Sequence, residues 1–218
     1  MAETTILAIN GSPRKNGNCM KLLQSAMEGA VSAGARENLL HLCDYKFGGC
    51  ISCFRCRRKP TPCIGCGLQD DLQPILRACY EADAIILATP VYFANYPSAV
   101  RAFMERLLYH YPHEEGKMST YKPVRLLYSM NATEKQAIAL NYKTVLGSNE
   151  DFFRRHFLDV ETVWAYNTYQ FPDYAQYVHS NDVAEKERAR DEDFPVALKK
   201  AWQAGMNVAK SCMNRVDV

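Results

Sequence analysis

No stretch of this 218-residue sequence approaches eighteen consecutive apolar residues, so no membrane-spanning helix is expected. The opening MAETTILAING has neither a basic leader nor the long apolar core of a secretory signal, and a cytoplasmic location is expected. One sign of charge does not dominate: 26 Lys and Arg face 24 Asp and Glu, a formal net charge of +2. Such a balance supplies no global field for nucleic acid or a membrane surface, and neither is expected as a partner. Internal repeats, low-complexity tracts and linker-like shifts in composition are missing too, which predicts a single domain over residues 1–218. Two nucleotide signatures are also absent. No Gly-Lys-Ser/Thr closes a P-loop, and no G-x-G-x-x-G opens a dinucleotide site.

What the chain does contain is strand-length apolar runs alternating with helical periods. TTILAIN (4–10), ENLLHLCD (37–44), AIILA (84–88), PVRLLYSM (123–130) and VETVWAY (160–166) read as five strands. Between them, helices are predicted over 19–33, from Asp70 or Asp71 to about Ala82, and from Pro97 onward. The last of these has a core face of Val100, Phe103, Met104, Leu107 and Leu108. Asp70 and Gln73 are spaced for a capping box. Further helix is expected over 133–146 and over most of 182–212, interrupted near Pro195. Alternating strands and helices predict an α/β fold, a doubly wound five-stranded parallel sheet with one cysteine-rich insertion at about 45–69, after strand two.

Two loops carry candidate binding chemistry. NGSPRKNGN (10–18) joins strand one to helix one and offers Ser12, Arg14, Asn16 and Asn18 beside a helix N-terminus, which favours an anion. The competing reading is an ordinary turn with Asn18 as a helix cap. TPVYFANYP (89–97) leaves strand three and carries Tyr92, Phe93 and Tyr96. Ligands of doubly wound sheets sit beyond the carboxyl ends of the strands at the switch point. A dianion site beside an amphipathic aromatic surface suits flavin mononucleotide (FMN); the aromatics alone would also serve as helix packing.

Cysteine is the outlier, with nine residues. Cys43, Cys79 and Cys212 are expected to be buried thiols. Cys19 is read as lining the phosphate loop. The other five fall in GGCISCFRCRRKPTPCIGC, spaced Cys50-x2-Cys53-x2-Cys56-x6-Cys63-x2-Cys66. Disulfides are not expected in a reducing compartment. Three thiols two residues apart plus a fourth can hold an iron–sulfur cubane, whereas the pairs Cys53/Cys56 and Cys63/Cys66 can hold zinc. The spacing alone leaves both open, and an empty segment as well. Arg55, Arg57, Arg58 and Lys59 among the thiols would stabilise an anionic cluster or steer an acidic donor, although each taken singly reads more readily as a solvated side chain.

GSPRKNGNC, TPVYFANYPSAVRAFMER and the crowded cysteines, in that order, resemble the iron-sulfur flavoproteins within the NAD(P)H-dependent FMN reductase group. The likeness covers roughly Ile6 to Leu108. It implies a flavodoxin-like fold and FMN held at the phosphate by Ser12, Arg14, Asn18 and Cys19, with Asn16 the further cofactor-binding donor that the loop offers. Along the ring it places Pro90, Val91, Tyr92, Phe93 and Asn95, with Ser129 and Asn131 donating from the loop after strand four. It also implies a [4Fe-4S] cluster on Cys50, Cys53, Cys56 and Cys63, leaving Cys66 surplus. The expected activity is that of an FMN-dependent oxidoreductase passing electrons between cluster and flavin, with no catalytic side chain because the chemistry belongs to the cofactors. NAD(P)H or a ferredoxin-like protein would be the donor, and a homodimer or homotetramer is expected. Two other functions remain open: a cluster-free NAD(P)H-dependent FMN or quinone reductase, and a non-catalytic flavin shuttle with a structural zinc knuckle. The aromatic stretch 163–177 receives no role.

Overall fold

The computed structural model describes residues 3–58, 66–110, 122–157 and 159–214. Five strands form one parallel sheet: β1 (Thr5–Asn10), β2 (Arg36–His41), β3 (Ala84–Pro90), β4 (Val124–Ser129) and β5 (Val160–Ala165). Their spatial order is β2-β1-β3-β4-β5, the flavodoxin-like order. Between β1 and β3 the direction of winding reverses, so the loops leaving these two strands border one crevice. Nearly every residue of β1, β3 and β4 is buried, as continuous apolar runs covered on both faces require. β2 lies at the edge and is largely exposed.

One face is covered by α2 (Leu72–Glu81), α3 (Ser98–His110) and α5 (Tyr142–Arg154), and the other by α1 (Asn18–Ser32) and α7 (Phe194–Met213). The helical face predicted for α3 is inside: Val100, Phe103 and Leu107 are fully buried and Met104 and Leu108 nearly so. Helices α1 and α7 cross at backbone contact. A Cβ on Gly29 would lie 2.0 Å from the Trp202 carbonyl oxygen, and one on Gly205 would lie 1.8 Å from that of Ala26. No larger residue fits either position without separating the helices.

The structure amends the sequence reading in four places. The helix predicted over 133–146 is two, α4 (Glu134–Ala139) and α5, divided where Asn141 turns left-handed at φ 55°. Thr133 and Gln136 form the capping box of α4. Asp70 and Gln73 do not form one, because the Gln73 amide donates back to the carbonyls of Cys66 and Leu68 and the Asp70 carboxylate is taken by Arg106. Strand two stops at His41, and Cys43 lies exposed in the turn that follows. Cys79 and Cys212 are buried as expected.

Candidate functional site

A cavity of about 680 Å³ opens at the carboxyl ends of β1, β3 and β4, within the range of small-molecule and cofactor sites. Its floor is the turn after β1. Gly11 is obligatory there, since a Cβ would meet Val100 Cγ2 at 2.4 Å while the Gly11 N–H donates to the Ala88 carbonyl. The Asn10 side chain accepts from the Ser12 N–H at 3.0 Å and Ser12 Oγ accepts from the Arg14 N–H at 3.1 Å, a pair of local turns that fix the loop. Helix α1 then starts at Asn18 with Gly17 as its N-cap and no side chain capping it. Asn18 is therefore no cap: its amide instead donates to the Tyr169 carbonyl at 2.8 Å. The first turn, without a side-chain cap and with the positive end of the helix dipole, borders the cavity.

Ser12, Arg14, Asn16, Asn18 and Cys19 all line this cavity. Burial pushes the Cys19 thiol up to about 12 despite hydrogen bonds to Ser12 and Ser129, so it stays protonated at the helix start rather than becoming a reactive thiolate. Pro90, Val91, Tyr92 and Ser129 line the cavity as well.

Phe93, Asn95 and Asn131 lie outside that lining. Phe93 and Ala94 are the left-handed tip (φ 50° and 62°) of a two-residue hairpin in which Tyr92 and Asn95 exchange backbone hydrogen bonds of 2.9 Å. The Phe93 ring is fully exposed there. Two non-glycine residues in this conformation cost about 1–2 kcal/mol each. Asn95 helps to hold them. Its side-chain oxygen accepts from the Tyr96 N–H and from Asn149 Nδ2 on α5, both at 2.8 Å. Asn131 presents its carbonyl to Lys186 Nζ at 2.8 Å.

The remaining wall was not foreseen from sequence. Thr168, Tyr169, Gln170, Phe171, Pro172 and Tyr177 face the β1 loop across the cavity. Besides Asn18, Arg14 ties the two sides together by donating from Nη1 to the Gln170 carbonyl at 2.7 Å. Phe171 and Tyr177 stack at 4.3 Å between centroids and 11° between planes, while Tyr174 is buried edge-on beneath them. The buried Lys186 ammonium anchors the root of this wall through the carbonyls of Asn131 and Thr168. The signal in the sequence was the aromatic density of 163–177, but nothing local says which cavity that density serves.

A second, narrow cavity lies in the cysteine insertion and is lined by Cys50, Cys53, Cys56, Cys66, Ile51, Phe54, Gly67, Leu68, Arg106 and Tyr109. Cys63 and Lys59 lie outside the described residues. Among the described residues no three His, Cys, Asp or Glu side chains stand together as a ready metal site. Of the basic residues in the segment, Arg57 donates to the Tyr109 carbonyl at 2.6 Å and lies over its ring at 5.1 Å. The cation that reaches the cavity unseen in the sequence pattern is Arg106, from the inner face of α3. Its side chain is wholly buried and paired through both terminal nitrogens with Asp70, at 2.5 and 2.8 Å.

The chain is 34% identical over 113 residues to an iron-sulfur flavoprotein of Archaeoglobus fulgidus, and 35% identical over 101 residues to one of Methanosarcina thermophila. These stretches are 51% and 46% of this chain, and they span only about half the length of each relative (50% and 51%). The fold is shared with an NAD(P)H:quinone oxidoreductase from Methanothermobacter marburgensis (TM-score 0.64, 18% identity, covering 95% of this chain and 100% of that one). It is shared also with an azoreductase from Bacillus anthracis (TM-score 0.66, 13% identity, covering 94% and 99%). Residues 4–158 match the model of the NADPH-dependent FMN reductases, a span that includes the phosphate-type loop, the cysteine insertion and four of the five strands, and the chain belongs to that family.

Proposed function

We propose that this chain is an FMN-dependent oxidoreductase whose cysteine insertion carries an iron–sulfur group, exchanging electrons between that group and the flavin. The family match supports the flavin. The observation that carries it to particular residues is the uncapped start of α1 on the cavity floor, flanked by Ser12, Arg14, Asn16 and Asn18. An anion fits that donor set and little else does. Arg14 and the α1 amides would hold the phosphate, and Pro90, Val91 and Tyr92 would border the ring. Cys19, neutral and buried, closes the floor without adding negative charge. Tyr169, Phe171 and Tyr177 shield the opposite side from water. Bound flavin supplies one- and two-electron redox chemistry; the side chains bind, orient and exclude solvent.

In the insertion the donor chemistry fits a metal–sulfur group. Four thiols line one cavity against a buried guanidinium. The names of the iron-sulfur flavoprotein relatives point the same way. A cluster-free NAD(P)H-dependent reductase is the second reading, favoured by the lack of a preassembled metal trio among the described residues. Anaerobic purification followed by iron, sulfide and flavin analysis separates the two. Both cofactors in near-stoichiometric amounts are expected. Flavin without iron or sulfide, even after reconstitution, would leave the cluster-free reductase, and failure to bind FMN would end both readings.

A further inference from the structure

The cavity at the carboxyl ends of the strands is lined by one sign of charge. Arg14 and Lys21 border it and, among the described residues, no Asp or Glu does. Both cations stand at the β1 and α1 end, beside the donors that fit a phosphate. A third cation lies behind the other end. Lys186 is only 2% exposed, and its Nζ donates to the carbonyls of Asn131 at 2.8 Å and Thr168 at 3.3 Å. The first belongs to the loop after β4 and the second to the loop after β5. Thr168 lines the cavity, its hydroxyl donating to the Met130 carbonyl at 3.1 Å and lying 3.2 Å from Ser129 Oγ.

An ammonium in this position is costly. Burying a charge loses several kcal/mol of hydration unless a partner of opposite sign makes up for it. Among the described residues no carboxylate pairs with Lys186, and the one charged group acting on it is Glu185, its neighbour on the helix Val183–Arg188. The loops packed on it offer carbonyls and hydroxyls rather than titrating groups. Arg190, on the same wall, differs: it lies 4.8 Å from the centre of the Tyr169 ring, but Asp191 neutralises it at 2.7 Å in solvent. Tying two loops together needs no more than a neutral donor. A buried cation without a carboxylate suits a site whose ligand brings the negative charge. Burial lowers Lys186 to about 8, which leaves it charged at neutral pH.

We infer that Lys186 is a charge-setting residue of the flavin site, favouring the anionic, reduced ring over the neutral, oxidised one from behind the loops after β4 and β5. This rests on the reading that the cavity holds FMN. In that reading the phosphate is met by Arg14 and the start of α1, and the ring borders Pro90–Tyr92 at the end of β3, the strand next to β4. Reduction adds two electrons and one proton to the neutral ring and leaves it with one negative charge. Through a poorly polarisable wall a fixed cation acts on that charge over several ångströms and leaves the neutral form nearly untouched. Lys186 thus acts through its field, without touching the ring.

The test compares the full chain with its Lys186→Gln variant, which keeps an N–H donor for the two carbonyls and removes the charge. Dissociation constants for oxidised and for dithionite-reduced FMN are measured anaerobically at pH 7. Loosening the loops alone would weaken both. Their ratio should instead shift about tenfold toward the oxidised form, a drop of about 30 mV in the two-electron potential. An unmoved ratio overturns the inference and leaves Lys186 as an anchor of the loops. In the wild type, discharge of Lys186 above about pH 8 makes reduction take up a second proton, so the slope of the potential against pH should double there. If Lys186→Gln does not fold, a slope that stays constant through this range overturns the inference in its place. A wild-type chain that binds FMN in neither state overturns the underlying reading as well, and that control tells the two failures apart.

Discussion

The two walls of the cavity at the carboxyl ends of the strands are built on opposite plans. The side made by the loop after β1 is largely local: Asn10 and Ser12 each accept from a backbone N–H two residues on, and the donors Ser12, Arg14, Asn16 and Asn18 sit within ten residues of one another. The wall made by 168–177 is held from outside, by Arg14, Asn18 and Lys186, partners up to 156 residues away in sequence. Local turn chemistry makes the first wall robust and readable. The second exists only once β5 and α6 (Val183–Arg188) are in place.

The largest expected effect tests the rigidity of the first wall. With its thiol pushed up to about 12 and its side chain buried, Cys19 should react with iodoacetamide at pH 8 about a thousandfold more slowly than the exposed Cys50 and Cys53 of metal-free protein. Peptide mapping after timed quenching reads the ratio. Comparable rates would mean that the floor opens readily and that the contrast between the walls is false.

Next comes the anchor of the second wall. Burial lowers Lys186 to about 8 from an ordinary 10.5. Below pH 8 both folded and unfolded chains carry the proton and the penalty is constant. Between 8 and 10.5 the unfolded chain binds more protons, so stability rises with pH. Relative to Lys186→Met, the wild type should gain up to about 3 kcal/mol across that window, at 1.36 kcal/mol per unit. Thermal melts of both proteins at half-unit pH steps check it. Parallel curves would show that Lys186 stays charged and solvated, and that the wall is anchored elsewhere.

Arg14 bridges both walls, and its loss should weaken FMN binding by about 30-fold, the value of one charge-assisted contact. Asn18→Ala, which removes a neutral donor, should cost about fivefold by the same reasoning. Titration of apo-protein with FMN, followed by quenching of flavin fluorescence, gives both. If the two variants were equal, the cavity floor would not be reading charge.

How much of this was legible follows from the same distinction. The five strands and their alternation with helices, the buried face of α3 and the floor residues Ser12, Arg14 and Asn18 were written in short-range periodicity and turn composition, whereas the flavodoxin-like strand order came with the family resemblance. Asn95 reads from sequence as a ring contact because it stands in the right loop; what no local pattern shows is that its side-chain oxygen accepts from Asn149 on a distant helix beside the left-handed Phe93–Ala94 turn. Arg106 was invisible as a cavity-lining residue because its neighbours Phe103 and Leu107 made α3 look like a purely apolar face. Spacing could not say where Cys66 would lie; the fold sets it at the lining of the narrow cavity beside Cys50, Cys53 and Cys56.

An effect of similar size to that of Asn18→Ala is the most pointed, because it asks whether the second wall touches the flavin or merely roofs it. Phe171 and Tyr177 stack on each other at the cavity lining, with Tyr177 substantially exposed. Such a pair offers a flat aromatic surface at little entropic cost, and an aromatic contact of this kind is worth about 0.5–1.5 kcal/mol. Phe171→Ala removes the inner ring but leaves the Arg14 and Asn18 ties, which use the backbone of Gln170 and Tyr169. If the isoalloxazine packs against this wall, FMN affinity should fall about threefold to tenfold, with the fluorescence of the bound flavin changed because its neighbour has changed. Unaltered affinity and an unaltered bound-state spectrum would place the ring wholly against Pro90–Tyr92, leaving the aromatic wall to face whatever exchanges electrons with the flavin.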